Sequence, residues 1–453
     1  MSKKKYKYKN IVSLLSVGAL YISNANAITF GDNQENEIQA SFGFYKEQDR
    51  INVFKSVLDY KRNLDTDESF SIRLSIDSLT GSTPNGAVSS VNPQTFTSPS
   101  GGSPNYVDPN QQPQDKFEDT RYSVGINYEN QATSIFKYVL GGNFSSETDY
   151  TSISGNIGLI ADLNNKNTTI SILGSHAYDI ISAEGGIPTP YSYMNNPKPC
   201  DNNSVLAKDH DECFNVVAGI PYVENKSSSN QYKNTEDVIL GITQILNKWS
   251  LMQFNYFVSI SNGYHNDPYK VISVVDSNGN PVVLDDKTNL SAVIYENRPN
   301  HRFKQGLYAE YKATIFNDNI PSISYRFSFD DWSVNSNMVE IKYYLPITKK
   351  YFIQPYVRFY KQTQAYFYTP YLSESQASYV IQNNQYVSSD DRLSAMNTYS
   401  VALEFGRYND IPWSIMLEYY HQKYVEPEKY GNMNNITLNP DVNAFLLLFN
   451  FKI

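Results

Sequence analysis

Cys200 and Cys213 are the only cysteines of this 453-residue chain, and they bracket the segment CDNNSVLAKDHDEC. Two chemistries fit that spacing. With His210 and either Asp209 or Asp211 the pair supplies four ligands for a metal ion; oxidised, it closes a loop as a disulfide. The N-terminus carries an export signal, described below, and an oxidising compartment disfavours free thiols, so a disulfide is the expectation. A second segment, DSNGNPVVLDD, spaces Asp276, Asn278 and Asn280 two residues apart, as calcium loops do. Gly279 stands at its fourth position instead of its sixth, and no glutamate stands at the twelfth. A hairpin turning on Asn278-Gly279 explains it better. Hydrolytic chemistry would need a histidine beside a carboxylate or a serine. Of His176, His210, His265, His301 and His421, only His176 and His421 fall on predicted strands. Neither sits in an enzyme motif, so no catalytic, cofactor or metal residue is assigned and the chain is expected not to be an enzyme.

Charged residues on alternating strands form a further set: Arg73, Asp77, Arg121, Arg326, Glu340, Lys342, Arg358, Glu404 and Glu418. What positions them is a period of two. In SFSIRLSID the residues Phe70, Ile72, Leu74 and Ile76 face one way, against Ser71, Arg73, Ser75 and Asp77. Tyr122, Val124, Ile126 and Tyr128 alternate with Arg121, Ser123, Gly125 and Asn127; Tyr399, Val401, Leu403 and Phe405 alternate with Ser400, Ala402, Glu404 and Gly406. Such strands have one apolar and one polar face. The charged set lies on the polar face, where mixed signs serve either to select permeating solutes or to stabilise the wall by cross-strand pairing. Asp77 and Arg121, at the same end of neighbouring strands, are expected to pair and close the base of a long loop.

Counting alternations gives sixteen strands, near 37–45, 50–60, 69–77, 119–129, 135–146, 150–163, 168–179, 235–246, 250–261, 303–312, 320–329, 338–345, 351–362, 397–407, 413–422 and 443–453. The connections on one side are brief, as in NQATS, NNKN and YNDIP. The other side carries the long segments 78–118, 180–234, 262–302, 363–396 and 423–442. An even number of strands with short turns on one side and long loops on the other is the pattern of an outer-membrane barrel. The last face, Phe445, Leu447, Phe449, Phe451 and Ile453, is what such barrels present to their assembly machinery. Trp249, Trp332 and Trp413 lie near strand ends, where an interfacial belt would place them.

Composition agrees. The 38 Tyr and 23 Phe bring aromatics to 14%, with only 18% charged residues, which suits strands facing lipid and water in turn. Mean hydropathy is negative, −0.48, and no apolar run approaches the roughly 20 residues of a transmembrane helix. MSKKKYKYK, the apolar IVSLLSVGALYI and the small residues of NANA make a signal peptide over 1–27, leaving 28–453 as one barrel domain. Loss of its five lysines changes the formal charge from −9 to −14, which argues against nucleic acid as a partner.

The segments DSLTGSTPNGAVSSVNPQTFTSPSG, FEDTRYSV, SSETDYTS, NNKNTTIS, GGIPTP, EDVILGITQILN, DPYKVISVVD, YENRPNHR, DDW and DRLSAMNTYSVALEFG together resemble domain-of-unknown-function family 3570. The likeness runs in the same order through nearly the whole mature chain, while the loop with Cys200 and Cys213 lies outside the matching segments. The resemblance implies an outer-membrane β-barrel and offers no catalytic residues.

The reading is an all-β, antiparallel, up-and-down transmembrane barrel of about sixteen strands in the outer membrane of a Gram-negative bacterium. Its expected function is a porin-like channel for passive or substrate-specific passage of small solutes, with a weak preference for cations. Alternatives are a surface interaction or adhesion protein anchored by the barrel, and, after that, a hydrolase at the rim. The expected partners are outer-membrane lipids and lipopolysaccharide, the assembly machinery and small solutes, with a homo-oligomer as an open alternative and no cofactor. The segment opening DSLTGSTPNGA is expected to fold inward as a constriction, so that removing 82–116 raises conductance.

Overall fold

The structure, a computed structural model, describes residues 36–48, 50–90, 93–96, 105–194, 198–199, 213–214, 226–285, 290–408, 411–429 and 431–452. The expected signal peptide, Cys200, His210 and Ile453 lie outside these. So do the disulfide and the metal alternative at Cys200, although the short segments Lys198–Pro199 and Cys213–Phe214 pair in parallel.

Sixteen strands close into one barrel. They are β1 Asn36–Glu47, β2 Ile51–Asp65, β3 Glu68–Pro84, β4 Gln114–Asn130, β5 Phe136–Ser146, β6 Tyr150–Leu163, β7 Thr168–Ile181 and β8 Gln231–Asn247. The second half comprises β9 Ser250–Gly263, β10 His301–Ala313, β11 Ile320–Asp330, β12 Asn335–Pro346, β13 Tyr351–Gln362, β14 Met396–Arg407, β15 Trp413–Tyr424 and β16 Val442–Lys452. Every neighbour is antiparallel, and β16 returns to β1 from Gln39↔Lys452 to Glu47↔Ala444. Closure leaves no unpaired edge, the condition for backbone to cross a bilayer as strands.

The period of two decides which side chains meet lipid. Leu74, Ile76, Tyr122, Val124, Ile126, Ile153, Ile157, Leu307, Val401 and Leu403 are all exposed on the outside, an apolar surface that hydrocarbon, not water, must cover. Tyrosines mark its loop-side rim: the Tyr325 hydroxyl donates to Asn337 Oδ1 at 2.6 Å and the Tyr419 hydroxyl to Asn443 Oδ1 at 2.8 Å. At the turn-side rim Trp249 is exposed and Trp413 packs edge-on against Phe405. These rings suit the headgroup level.

The strand count and the order of short and long connections agree with the sequence reading. The boundary at 77 does not. β3 and β4 stay paired from Ser78↔Thr120 to Pro84↔Gln114, well beyond the apolar stripe. Alternation is lost there because this hairpin stands above the hydrocarbon, where pairing needs only backbone hydrogen bonds. At Gly81, with φ +146°, the hairpin leans on the β1–β2 turn: a Cβ would sit 2.1 Å from the Arg50 carbonyl oxygen, and Ser82 N–H donates to that oxygen at 2.9 Å.

The long connections fold together over the barrel's outer end. Val271–Val275 pairs antiparallel with Val293–Tyr295 and parallel with Tyr371–Ser373. Tyr193 bridges to Ile294 and Asn297 to Val387. Asn85 accepts from Val271 N–H, Val88 N–H donates to Ser273 Oγ at 3.1 Å, and Gln112 Nε2 donates to the Leu438 carbonyl. Segments from all five long loops therefore form one cap. Val271, Ile272, Val274, Val275, Val293 and Ile294 are at most 1% exposed, each contributing roughly 1.5–3 kcal/mol on burial. The cap is thus a packed body with its own core, set on a barrel whose interior is polar.

Candidate functional site

Alternation fixes which charges point inward. Arg73, Arg326, Glu340, Lys342, Arg358, Glu404 and Glu418 sit between outward apolar or aromatic residues, and Asp77 and Arg121 beside Ile76 and Tyr122, so all nine take the opposite, inner face of their strands. The structure pairs them differently from the sequence expectation in one case. Asp77 and Arg121 are register partners, yet Asp77 Oδ1 takes Lys55 Nζ at 3.0 Å and Arg121 Nη2 takes Glu147 Oε1 at 2.8 Å. Each has an opposite charge on its other flank, so the base of the loop is tied by two pairs and not by one between them.

The two sides of the lumen differ. Along β2–β5, Arg73 Nε meets Asp59 Oδ1 at 2.6 Å, and Glu129 lies 3.8 Å from Lys61 and 3.4 Å from Lys137. The Arg73 and Arg121 side chains there keep about 40% of their surface. Across β12–β15 the charges are buried. Lys342 Nζ is 2.9 Å from Glu340 Oε1, and Arg358 Nη2 is 2.7 Å from Glu418 Oε1. This last pair spans β14, where the small Ser400 and Ala402 leave room for it; Ser400 Oγ accepts from Arg358 at 3.2 Å. Gln354 Nε2 donates to Glu404, and the Arg326 guanidinium lies over the Tyr308 ring. Charges pair on both walls, but Arg73, Arg121 and Lys61 keep more of their side-chain surface open than any member of the β12–β15 pairs.

The cap is joined to the barrel by a cluster of ionisable groups in which no single sequence motif is visible. Arg298 Nε contacts Glu296 Oε1 at 2.6 Å and its Nη2 contacts Asp390 Oδ2 at 2.7 Å. Arg392 bridges Asp390 and Asp267. Lys270 Nζ is 3.3 Å from Asp391 Oδ1; Asp391 Oδ2 accepts the Tyr424 hydroxyl at 2.8 Å and lies 3.6 Å from Arg50 Nη2. Arg50 belongs to the β1–β2 turn and Tyr424 ends β15, so Asp391 ties the cap to two separate points of the rim. A third tie is the Tyr269 hydroxyl, which donates to Asp149 Oδ2 at 2.6 Å in the β5–β6 turn. Burial works to raise the Asp390 carboxyl, but Arg392, Lys270 and Arg298 outweigh it and hold it well below the usual carboxylate range. For Glu296 burial wins over Arg298 and the carboxyl is raised. Apart from Arg392, whose side chain is exposed, unlike charges thus neutralise one another where water is excluded, the arrangement that makes breaking a single partner expensive.

The remaining expected features find plain places. Asp276 Oδ1 accepts the N–H groups of Asn278 and Asn280 at 2.9 and 2.8 Å, and Gly279 has φ +80°, so the suspected calcium segment is a turn. Trp332 is buried under the cap, stacked edge-on at 5.0 Å with Phe367 and covered by the Arg302 guanidinium; it does not join the interfacial belt. Its register above β11 places it among loop residues, out of reach of lipid. His176 Nδ1 lies 3.2 Å from Glu236 Oε1 on the barrel's outside, and His421 contacts Asn443 there. His301 faces Asn262. His265 is inside the cap edge, 3.3 Å from Ser261 Oγ and against Trp332, and burial pushes it down to about 4.

Sequence reasoning missed Arg50, Asp267, Lys270, Glu296, Arg298, Asp390, Asp391 and Arg392. The signal available was a concentration of charge in YENRPN and SSDDRL, inside loops otherwise made of Tyr, Asn and Ser. It also missed Asp119, Glu147 and Asp149, whose carboxylates gather within 4.8 Å of one another. Arg121 and Tyr269 already occupy two of these.

Residues 13–453 match the family described as "Protein of unknown function (DUF3570)". No curated protein matches the chain. Among solved structures, the CymD monoaromatic hydrocarbon channel is 7% identical at a TM-score of 0.38, with 92% of this chain and 88% of that one covered. The toluene transporter TodX of P. putida is 9% identical at 0.38, with 93% and 90% covered. The siderophore receptor PirA from Acinetobacter baumannii is 9% identical at 0.39, with 86% and 53% covered. The chain spans about half the length of the siderophore receptors it matches.

Proposed function

The chain belongs to the DUF3570 family, and we propose that this member is a non-enzymatic transport barrel of a Gram-negative outer membrane, passing small polar solutes through a lumen whose outer end the cap closes. The observation that supports this most directly is the contrast within the inner wall. Arg73, Lys61 and Arg121 keep more than a third of their side-chain surface open and Asp59 30%, although Glu129 and Lys137 on the same wall are largely covered, and water in contact with mixed charge is what a polar solute needs as a path. A wall whose only role was stability would bury these groups as β12–β15 buries Glu340, Lys342 and Glu418.

In this reading the cap sets access. Its hydrophobic core keeps the loops together, and the Asp391, Tyr269 and Arg392 contacts hold them to the rim and to each other. Passage then requires the cap to shift as a unit or part along those polar contacts, where entering water can hydrate both partners of each pair. The test is conductance of the refolded chain in a planar bilayer under a salt gradient. Reproducible discrete openings, rare in the native chain and frequent once a rim contact is cut, are expected. A folded barrel that stays silent in both forms would refute the transport reading and leave the cap as a binding surface on an anchor.

A further inference from the structure

The cap carries a groove that neither closure nor conduction uses. It lies between one face of α1 (Glu374–Gln382) and the strap running from Tyr366 to Thr369, and has a volume of about 390 Å³. This is the size of small-molecule sites in general. Its floor is apolar and buried, with Leu372 and Val387 at 3% exposure, whereas Tyr366, Tyr379 and Tyr386 stand around it at 56, 63 and 42%. Three half-open tyrosines converging on one depression is an arrangement that folding does not require. Elsewhere in the cap the tyrosines Tyr191, Tyr193, Tyr295 and Tyr371 are buried.

The groove is held in shape from several sides. Ser373 caps α1 while Gln376 Oε1 accepts from the Ser373 N–H at 2.8 Å, a reciprocal capping box. Asn297 and Val387 exchange backbone hydrogen bonds of 3.0 and 2.7 Å. Tyr191 donates to the Gln385 carbonyl beside Tyr386, and Tyr366 N–H donates to the Trp332 carbonyl at 2.9 Å. A preformed site loses little entropy when it takes a ligand.

The lining also selects a chemistry. None of its residues is Asp, Glu, Lys, Arg or His, although charges crowd the cap around Asp390 only a few residues along the chain. An ionic ligand would find no counter-charge here. A hydrocarbon would be served by an enclosed apolar cavity, not by an open one whose walls carry the hydroxyls of Ser375 and Thr369, the tyrosine phenols and the Gln376 amide. A ligand with an apolar C–H face and a hydroxyl-rich edge matches both parts: the face stacks on tyrosine, the edge reaches the hydroxyls and amide. We propose that this groove binds a neutral saccharide at the outer surface of the barrel.

The test uses the full chain, refolded in a detergent without a sugar headgroup, and calorimetric titration with maltohexaose, chitotetraose and mannotriose. At least one is expected to bind, with Tyr366→Ala and Tyr379→Ala weakening it tenfold or more while Tyr379→Phe stays within threefold, because the ring and not the phenol does the stacking. Native electrophoretic mobility and heat-modifiability show that each variant is folded. Absence of binding by all three probes, unchanged affinity in both alanine variants, or preferential uptake of toluene or of an apolar peptide would each overturn the proposal. Binding and conduction fail separately, since a barrel that never opens still presents the groove.

Discussion

Replacing Asp391 by alanine should release the cap from the barrel without unfolding either. The side chain is 6% exposed and answers to three groups: Lys270 at 3.3 Å, the Tyr424 hydroxyl at 2.8 Å and Arg50 at 3.6 Å. Removing it leaves Lys270, itself 3% exposed, with Asp390 at 3.9 Å and the Pro84 carbonyl as its remaining partners. Arg50 keeps Glu47, at 3.5 Å, as its only charged partner, beside the Tyr424 hydroxyl. Loss of one member of a buried ion pair costs about 3–5 kcal/mol. That cost falls on the closed state alone, because a lifted cap hydrates Lys270 and Arg50. At 1.4 kcal/mol per decade the ratio of open to closed rises by roughly two to three and a half decades. Single-channel recording of native and Asp391→Ala chains reads that ratio as the fraction of time open. Asp391→Asn, which retains an acceptor for Tyr424, should fall between them. An open fraction that changes less than threefold in a heat-modifiable, folded variant would refute the assignment of Asp391 as the joint between cap and rim.

Other outcomes follow from the same geometry. The His265 ring is half-buried and held down to about 4, by burial first and by Lys233, Arg302 and Arg298 against the Ser261 carbonyl. Between pH 6.5 and 4 the unfolded chain therefore binds a proton that the native cap refuses, and cap stability falls with pH across that window by at most about 3 kcal/mol, less for the part of the ring open to solvent. His265→Phe, read by Trp332 fluorescence in a chain lacking Trp249 and Trp413, should flatten that dependence. Arg358→Ala leaves Glu418, 5% exposed, without its partner and should lower the denaturation midpoint of the barrel by an amount corresponding to about 3 kcal/mol, with little effect on cap opening. Joining Asn85 to Pro113 by a short Gly-Ser linker removes the first long loop while sparing the β3–β4 extension, and conductance should rise; an unchanged value would show that this loop does not narrow the path. Alkylation of the unreduced protein should label neither Cys200 nor Cys213, and after reduction both.

Legibility in the sequence followed the solvent each residue meets. Where one face sees lipid and the other water, as in Phe70–Ile76 or Tyr399–Phe405, alternation is forced and the strands could be counted. Val271–Val275 is buried on both faces and therefore shows apolar residues on both sides of Ser273 instead of an alternation, which a hairpin explains as well as the central strand of a cap does. The inner-wall charges were legible because they interrupt apolar positions at fixed intervals. The cap's ionic cluster was not, since its members come from positions 50, 267–298, 390–392 and 424 and each looks like an ordinary loop charge. Asp77 and Arg121 show the limit of register alone: cross-strand neighbours compete for partners on both flanks, and proximity did not decide the pairing.

The cap also bears on how the chain matures. Its segments are scattered from one end of the sequence to the other; the contact between Gln112 and Leu438 joins residues 326 positions apart. Tyr371–Ser373 and Val387 dock on the 264–300 loop beside them, but the last loop meets the first at Gln112 only once β16 has zipped onto β1 and brought the two ends of the wall together. Contacts of such long sequence separation form slowly. The same event that completes the circumference of the barrel therefore delivers the last loop to the cap. Failure of the final strand to seat would leave the cap unfinished as well as the wall open, so one pairing step governs both.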